Sequence, residues 1–203
     1  YGGRVACPAM VSYVKNMGKG AFDLKSSVFE AASKRERDRY EAILKMDGKE
    51  NPYEIHDELA QVMLRDCTIE RHNPTLDKVI AKIDELEDRW HEVGVTDKTP
   101  RANQGAQFVR HLRNMLVIAR VIAQGARNRD ESRGAHYKPD FKQRDDANWL
   151  RSTLALYGAD GKRSQVNYVR KIGDATDQVD VSLVKPRPRR YEQAGAASAA
   201  AKT

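Results

Sequence analysis

The sequence predicts an all-α chain arranged as an antiparallel helical bundle, on three observations. Four stretches place apolar residues at three- and four-residue intervals, the period of one buried helix face. Each stretch opens on a recognisable start signal, and the connections between them are only a few residues long, as between antiparallel neighbours. The chain has 203 residues, 40% of them hydrophobic, which is enough to bury a core. Its longest near-unbroken apolar run, Met115–Ala123 with Arg120 inside it, falls well short of the roughly 20 residues that span a bilayer.

Residues 1–20 form a separate unit in which Val5, Ala6, Ala9, Met10, Tyr13 and Val14 keep a helical spacing up to Gly18-Lys19-Gly20. That apolar face has no obvious partner inside the bundle. The first bundle helix is expected to start at Ser27-Val28-Phe29-Glu30, a capping-box pattern, and to bury Phe29, Ala32, Tyr40, Ile43 and Leu44. The next three starts are Asn51-Pro52, Asn73-Pro74 and Thr99-Pro100, where proline at the first helical position loses no hydrogen bond. The second helix carries Ile55, Leu59, Val62 and Met63, and the third Leu76, Val79, Ile80, Ile83, Leu86, Trp90 and Val93. The last, about Ala102 to Asn128, sets Phe108, Leu112, Met115, Ala119, Ile122 and Ala126 on one stripe, widened by Leu116, Val117 and Val121. It is expected to be the most buried. The Met and aromatic positions read as core, not as a cofactor box.

Arg144–Tyr157 shows a further short helical pattern through Trp149, Leu150, Leu154 and Leu156. Gly158-Ala159-Asp160-Gly161 then reads as a turn, and Val166–Val169 and Val179–Leu183 as two short strands that need a larger body to lie on. The expected domains are 1–20, a bundle over 21–157 and an extension over 158–203, with 192–203 disordered. Tyr1-Gly2-Gly3-Arg4 offers neither an initiator Met nor a signal-like start, which suggests a piece of a longer protein.

The formal net charge of +7 comes from 36 Lys+Arg against 29 Asp+Glu. From Lys185 onward, Lys185, Arg187, Arg189, Arg190 and Lys202 against Glu192 contribute +4 of it. Earlier charges alternate in sign over short distances, as on solvated helix faces, so a basic nucleic-acid-binding module is disfavoured. Cys7 and Cys67 lie 60 positions apart without a CxxC, which argues against a disulfide framework or structural zinc and favours a reducing compartment.

No catalytic constellation emerges. His56-Asp57-Glu58-Leu59 lacks the second His of a zinc-hydrolase helix, no GxGxxG or GxSxG occurs, and Gly158–Arg163 lacks phosphate-loop spacing. The segment that stands out is Asp130–Asp146, dense in opposed charges. Gly134 suits a left-handed position just past the long helix, and Arg127 and Arg129 complement that helix's C-terminal dipole. Glu131, Arg133, Gly134, His136, Asp140, Arg144 and Asp145 are therefore the candidate site residues, as a structural clasp or a domain or subunit contact. No catalytic, cofactor-binding or metal residues are assigned.

That segment resembles the C-terminal helical domain of the succinate dehydrogenase and fumarate reductase flavoproteins, through Glu131–His136 (Glu-Ser-Arg-Gly-Ala-His), Asp140-Phe141, Arg144–Asp146 and Trp149-Leu150. Asn103–Ala106, the Arg120–Ile122 region and Val179–Arg187 extend the likeness toward Bacillus-type succinate dehydrogenase flavoproteins; Lys142 departs from a proline common in the family. The resemblance implies a spectrin-like three-helix core. It also implies a parent enzyme that passes a hydride from succinate to FAD and electrons through an iron–sulfur subunit to a quinone. It further implies that residues 1–20 are a remnant of the flavin domain, that the partners are that domain, the iron–sulfur subunit and, indirectly, a membrane anchor, and that the assembly sits on the cytoplasmic face of a bacterial membrane. The segments that hold FAD and substrate in the family have no counterpart here, so this chain alone is expected to bind no FAD and to be inactive. L-aspartate oxidases share part of the signature, but the Val-Asp-Val-Ser-Leu stretch favours the dehydrogenase; an independent helical scaffold is the remaining alternative. The unpartnered face of residues 1–20 makes self-association of the fragment an expectation.

Overall fold

The structure, a computed structural model, describes residues 2–156 and 165–171. Among them the order is a π-helical turn at Gly2–Ala6, α1 (Cys7–Asn16), α2 (Ser26–Leu44), α3 (Pro52–Asp66), α4 (Asn73–Trp90), α5 (Gln104–Asn128), α6 (Asp146–Trp149), β1 (Arg151–Leu156) and β2 (Gln165–Lys171). The chain is helical, as the apolar spacing predicts. It divides into two compact units, one of the described residues up to Ala60 with Ile83–Leu116, the other of Gln61–Lys82 with the described residues from Val117.

In the first unit Ile43, Ile55, Leu59, Ile83, Leu86, Trp90, Val93, Ala106, Val109 and Leu112 are buried. The Trp90 indole at the end of α4 donates to the Val109 carbonyl near the start of α5 at 2.9 Å. Beside it, Arg89 donates to Glu50, just before α3, at 2.8 Å and to Glu58 on α3 at 2.9 Å. The end of α4 thus lies against the beginnings of α3 and α5, the antiparallel arrangement. Tyr53 of α3 stacks on Phe108 of α5 with ring centroids 4.4 Å apart.

The helix starts follow the sequence in part. Asn51 caps α3, its Oδ1 accepting the Tyr53 N–H at 3.0 Å. Thr99-Pro100 does not start α5. Asp97 draws the Thr99 N–H and hydroxyl into a local turn at 2.9 and 2.7 Å, and Asn103 makes the cap, its Oδ1 accepting the Ala106 N–H at 2.8 Å. The Ser27 capping box does not form either, because α2 already runs from Ser26 and Ser27 lies inside its first turn. Of the apolar face expected on α2, only Ile43 is buried, and Phe29 stays exposed. α1 buries no residue.

Two loops of this unit cross at very close range. Glu50 N–H donates to the Glu92 carbonyl at 2.9 Å and Gly94 N–H to the Glu50 carbonyl at 3.2 Å. A Cβ on Gly48 would lie 1.8 Å from the Glu92 carbonyl oxygen, so glycine is required there.

In the second unit Val62, Cys67, Leu76, Val79, Ala119, Ala123 and Ala126 are buried. Arg127 at the end of α5 bonds Asp77 near the start of α4 at 2.7 Å, again antiparallel. The carbonyl of His72 accepts from Thr75 and Leu76 at 3.1 and 2.9 Å, so His72 occupies the cap position of α4 and Asn73 is free for another task.

The buried stripe of α5 is Val109, Leu112, Leu116, Ala119, Ala123 and Ala126, whereas Met115, Ile118 and Ile122 are 38%, 58% and 45% exposed. This rotates the face from the one the sequence suggested. The helix is apolar around most of its circumference here, and the side carrying three alanines is the one that permits close approach.

The helix expected over Arg144–Tyr157 is only one turn, α6, and the chain then turns into β1. β1 pairs antiparallel with β2 from Arg151↔Lys171 to Leu156↔Gln165, with an irregularity between Ser152 and Thr153. That partner is the next element along the chain, but strand pairing is invisible to a helical-period reading. β2 contains the strand predicted at Val166–Val169. The expected turn at 158–161, the strand at 179–183 and the tail lie outside the described residues.

Gly48→Ala is expected to destabilise by about 1–3 kcal/mol, since two backbones must separate. Gly125→Ala, inside α5 where an added Cβ would meet nothing nearer than the Thr153 methyl at 3.6 Å, should stabilise by about 0.5 kcal/mol. Urea midpoints at unchanged slope check both.

Candidate functional site

α5 ends at Asn128 and runs into the charged segment that the sequence singles out. Two side chains there are completely removed from solvent although they carry charge, Glu131 and Lys138. An isolated buried charge is costly, so their partners decide the local structure.

Glu131 accepts from Arg129 on one oxygen and from Arg133 on both, at 2.9 and 3.1 Å for the latter. The Asp145 N–H completes the set at 3.0 Å. Burial works to raise the Glu131 pKa, but these donors outweigh it and hold the carboxyl below the usual range. Arg133 also pairs with Asp146, and Arg144 bonds Asp146 at 3.0 Å. Asp145 caps α6, its Oδ1 accepting the Asn148 N–H at 3.1 Å. Arg129 further donates to the Trp149 carbonyl at 2.8 Å and lies over the Trp149 ring.

The Lys138 ammonium donates to Asn73 Oδ1 at 2.6 Å, Asp130 Oδ1 at 2.9 Å and the Arg127 carbonyl at 3.0 Å. It therefore answers a free carbonyl in the last turn of α5 from inside the fold. Burial pushes its pKa below the ordinary lysine value, with Asp130 acting the other way. Asn73 donates to Asp130 at 3.0 Å, which explains why this residue does not cap α4.

Gly134 adopts φ +60°. This is the left-handed conformation that the sequence suggests, placed not at the end of α5 but in a tight turn beyond it in which Arg133 and His136 exchange backbone hydrogen bonds at 2.8 and 3.0 Å. His136 Nδ1 accepts from Arg71 at 2.8 Å and its Nε2 donates to the Arg129 carbonyl at 2.9 Å. Asp140 reaches away from this cluster and bonds His72 at 3.2 Å. The structure thus brings Glu131, Arg133, Asp145 and Arg144 into one ion network, with Gly134 and His136 in the adjoining turn and Asp140 at a separate exposed contact. Sequence reasoning passed over Lys138, Asp130, Asn73 and Arg71. The signal for Lys138 was available, a lysine two residues past a histidine in a segment rich in acids; its burial was not.

The network is occupied with itself. Among the described residues no three His, Cys, Asp or Glu side chains converge to hold a metal ion, and the buried side-chain polar atom left without a partner is Gln124 Oε1. The clasp itself offers no cradle for the FAD implied by the resemblance. A dinucleotide needs a glycine turn and a free helix N-terminus for its pyrophosphate, whereas the charged side chains of the clasp are spent on one another and the starts of α3 and α5 are capped by Asn51 and Asn103.

Comparison with known proteins agrees with the signature. A family model described as the fumarate reductase flavoprotein C-term matches residues 56–191. The succinate dehydrogenase flavoprotein subunit of Bacillus subtilis is 44% identical over 193 residues, 95% of this chain and 32% of that protein. The fumarate reductase flavoprotein subunit of Haemophilus influenzae is 36% identical over 73% of this chain and 25% of its own length. A solved quinol–fumarate reductase with menaquinol molecules superposes with a TM-score of 0.70 at 31% identity, over 83% of this chain and 29% of that one. The chain therefore spans between a quarter and a third of the length of these relatives.

Glu131→Gln is expected to cost about 3–5 kcal/mol in chemical denaturation, because two arginines lose their shared buried counter-charge. Acid should act on the same network. Glu131, Asp130, Asp145 and Asp146 all have carboxyl groups held below the usual range in the folded chain, so their stabilisation is complete above an unfolded carboxylate pKa of about 4 and is lost as pH falls through the lower folded values. Denaturation midpoints between pH 7 and pH 3 should fall less steeply in Glu131→Gln than in the parent chain.

Proposed function

The chain belongs to the succinate dehydrogenase and fumarate reductase flavoprotein C-terminal family, and from that membership we propose that it serves as the helical C-terminal part of a succinate dehydrogenase flavoprotein subunit. The whole subunit oxidises succinate to fumarate, passing a hydride to FAD, and electrons leave through an iron–sulfur subunit to a quinone. The observation that carries this reading is the continuous likeness to the Bacillus subtilis succinate dehydrogenase subunit across nearly the whole chain. A fumarate reductase subunit is the second reading, favoured by the Haemophilus influenzae relative.

In this reading the present residues do no redox chemistry and hold no FAD. They act as a scaffold beside the flavin domain. Residues 1–20 belong with that domain, 21–157 are the helical domain and 158–203 its C-terminal extension. Val5, Met10, Tyr13, Val14 and Phe22 are exposed, an apolar surface suited to packing against that domain, or to self-association where it is missing. The clasp keeps the segment after α5 in one conformation and leaves Asp140 and Arg144 at its exposed rim for contact with the iron–sulfur subunit. Among the described residues no helix is long and apolar enough to cross a membrane. A peripheral place on the cytoplasmic face of a bacterial membrane, through a separate anchor subunit, follows from the reading; a nucleic-acid partner does not.

The purified chain is expected to lack flavin absorbance after incubation with FAD and gel filtration, and to give no succinate-dependent dye reduction. A yellow protein, or dye reduction by this chain alone, would contradict the division of labour proposed.

A further inference from the structure

His136 is held in a way that only its neutral form permits. Arg71 has nothing but N–H groups to offer, so Nδ1, 2.8 Å away, must be the acceptor. The Arg129 carbonyl can only accept, so Nε2, 2.9 Å away, carries the proton. Both ring nitrogens are thereby assigned, and the ring bridges three pieces of chain: the α3–α4 connection through Arg71, the end of α5 through Arg129, and its own turn.

We propose that His136 is a proton-operated latch: in its neutral Nε2–H form it fastens the Arg133–Lys138 turn to Arg71 and the end of α5, and protonation at Nδ1 breaks the contact with the Arg71 Nη1 and loosens that turn. The inference is independent of the function proposed above. A proton on Nδ1 would face the Arg71 N–H donor with no acceptor between them. Arg71 would keep its Nε bond to the Cys67 carbonyl, 3.2 Å, and the Arg71 N–H would keep the Tyr137 carbonyl, 3.1 Å. The backbone bridge from Arg71 to Tyr137 would therefore persist while the turn lost its side-chain tie.

The charges bearing on the ring favour the same sense. They are Arg71 from the α3–α4 connection, Arg129 from the end of α5 and Lys138 from its own segment, all cationic. The nearest acids of the network are already committed, Asp130 to Lys138 and Glu131 to Arg129 and Arg133. Burial first, and then these cations, push the His136 pKa below the ordinary 6.5, against the Arg129 carbonyl that supports it. Because the folded value is depressed, the latch is fully effective above the unfolded histidine pKa and weakens as pH falls from there through the folded value. The carboxylates begin to lose their contribution only near an unfolded pKa of about 4, so the two effects set in at different points on the pH axis.

The test is side-chain 15N–13C NMR of the full 203-residue chain between pH 8 and pH 4.5, with His136 assigned by His136→Gln. The expected result is an Nε2–H tautomer at pH 8 and a midpoint below that of a histidine in the unfolded chain. The amide signals of Arg133 and His136 should move with that same midpoint, while those in the centre of α4 do not. In Arg71→Gln, which removes the facing charge, the His136 midpoint should rise. An Nδ1–H tautomer, a midpoint at or above the unfolded value, or a midpoint unmoved in Arg71→Gln would overturn the latch.

Discussion

Two fully buried charges, Glu131 and Lys138, constrain everything built around the end of α5. Neither can be left unpaired in the interior, and each draws its partners from more than one stretch of chain. Lys138 collects Asn73 at the start of α4, the Arg127 carbonyl at the end of α5 and Asp130 beyond it. Glu131 collects Arg129, Arg133 and the Asp145 N–H ahead of α6. Apolar residues in the same places could supply as much stability. They would not specify which carbonyl, which amide and which guanidinium must meet, and this selection of one arrangement is what the ion network contributes here.

The same constraint explains departures from simple helix grammar. Asn73-Pro74 looks like a cap followed by proline, yet the Asn73 side chain is taken by Lys138 and Asp130, and the His72 carbonyl stands in. Gly134 looks like a helix stop, yet it serves the turn that carries His136. The helices themselves were legible because their signal is a local period: Ile55 and Leu59, or Leu76, Val79, Ile83 and Leu86, repeat at the spacing of one face and are buried. Three features were not legible because they depend on partners that a local helical period does not register. The rotation of α5 onto Ala119, Ala123 and Ala126 is decided by what approaches it, the change from helix to strand at Arg151 by pairing with β2, the next element, and the burial of Lys138 by a partner 65 positions away, Asn73.

For function, the arrangement separates scaffold from chemistry. The charged side chains a reader would first suspect of catalysis, Arg133 and His136 among them, are spent on one another and on backbone groups. The apolar residues of α1 and Phe29 of α2 are exposed, while the ordered interior lies in α3, α4 and α5. A helical domain of a larger flavoprotein accounts for both, with family membership supplying the larger protein and the clasp supplying rigidity after the longest helix.

The central claim is that the segment after α5 is locked to the helices by its buried ions and does not merely rest on them. Native-state hydrogen exchange of the full chain at pH 7.5 tests it most directly, read at the amides of Arg71, Ser132, Lys138 and Asp145. The account expects these four to exchange only through the same large unfolding that exposes the centres of α4 and α5. Exchange of the four by local opening, with α4 and α5 still protected, would contradict it.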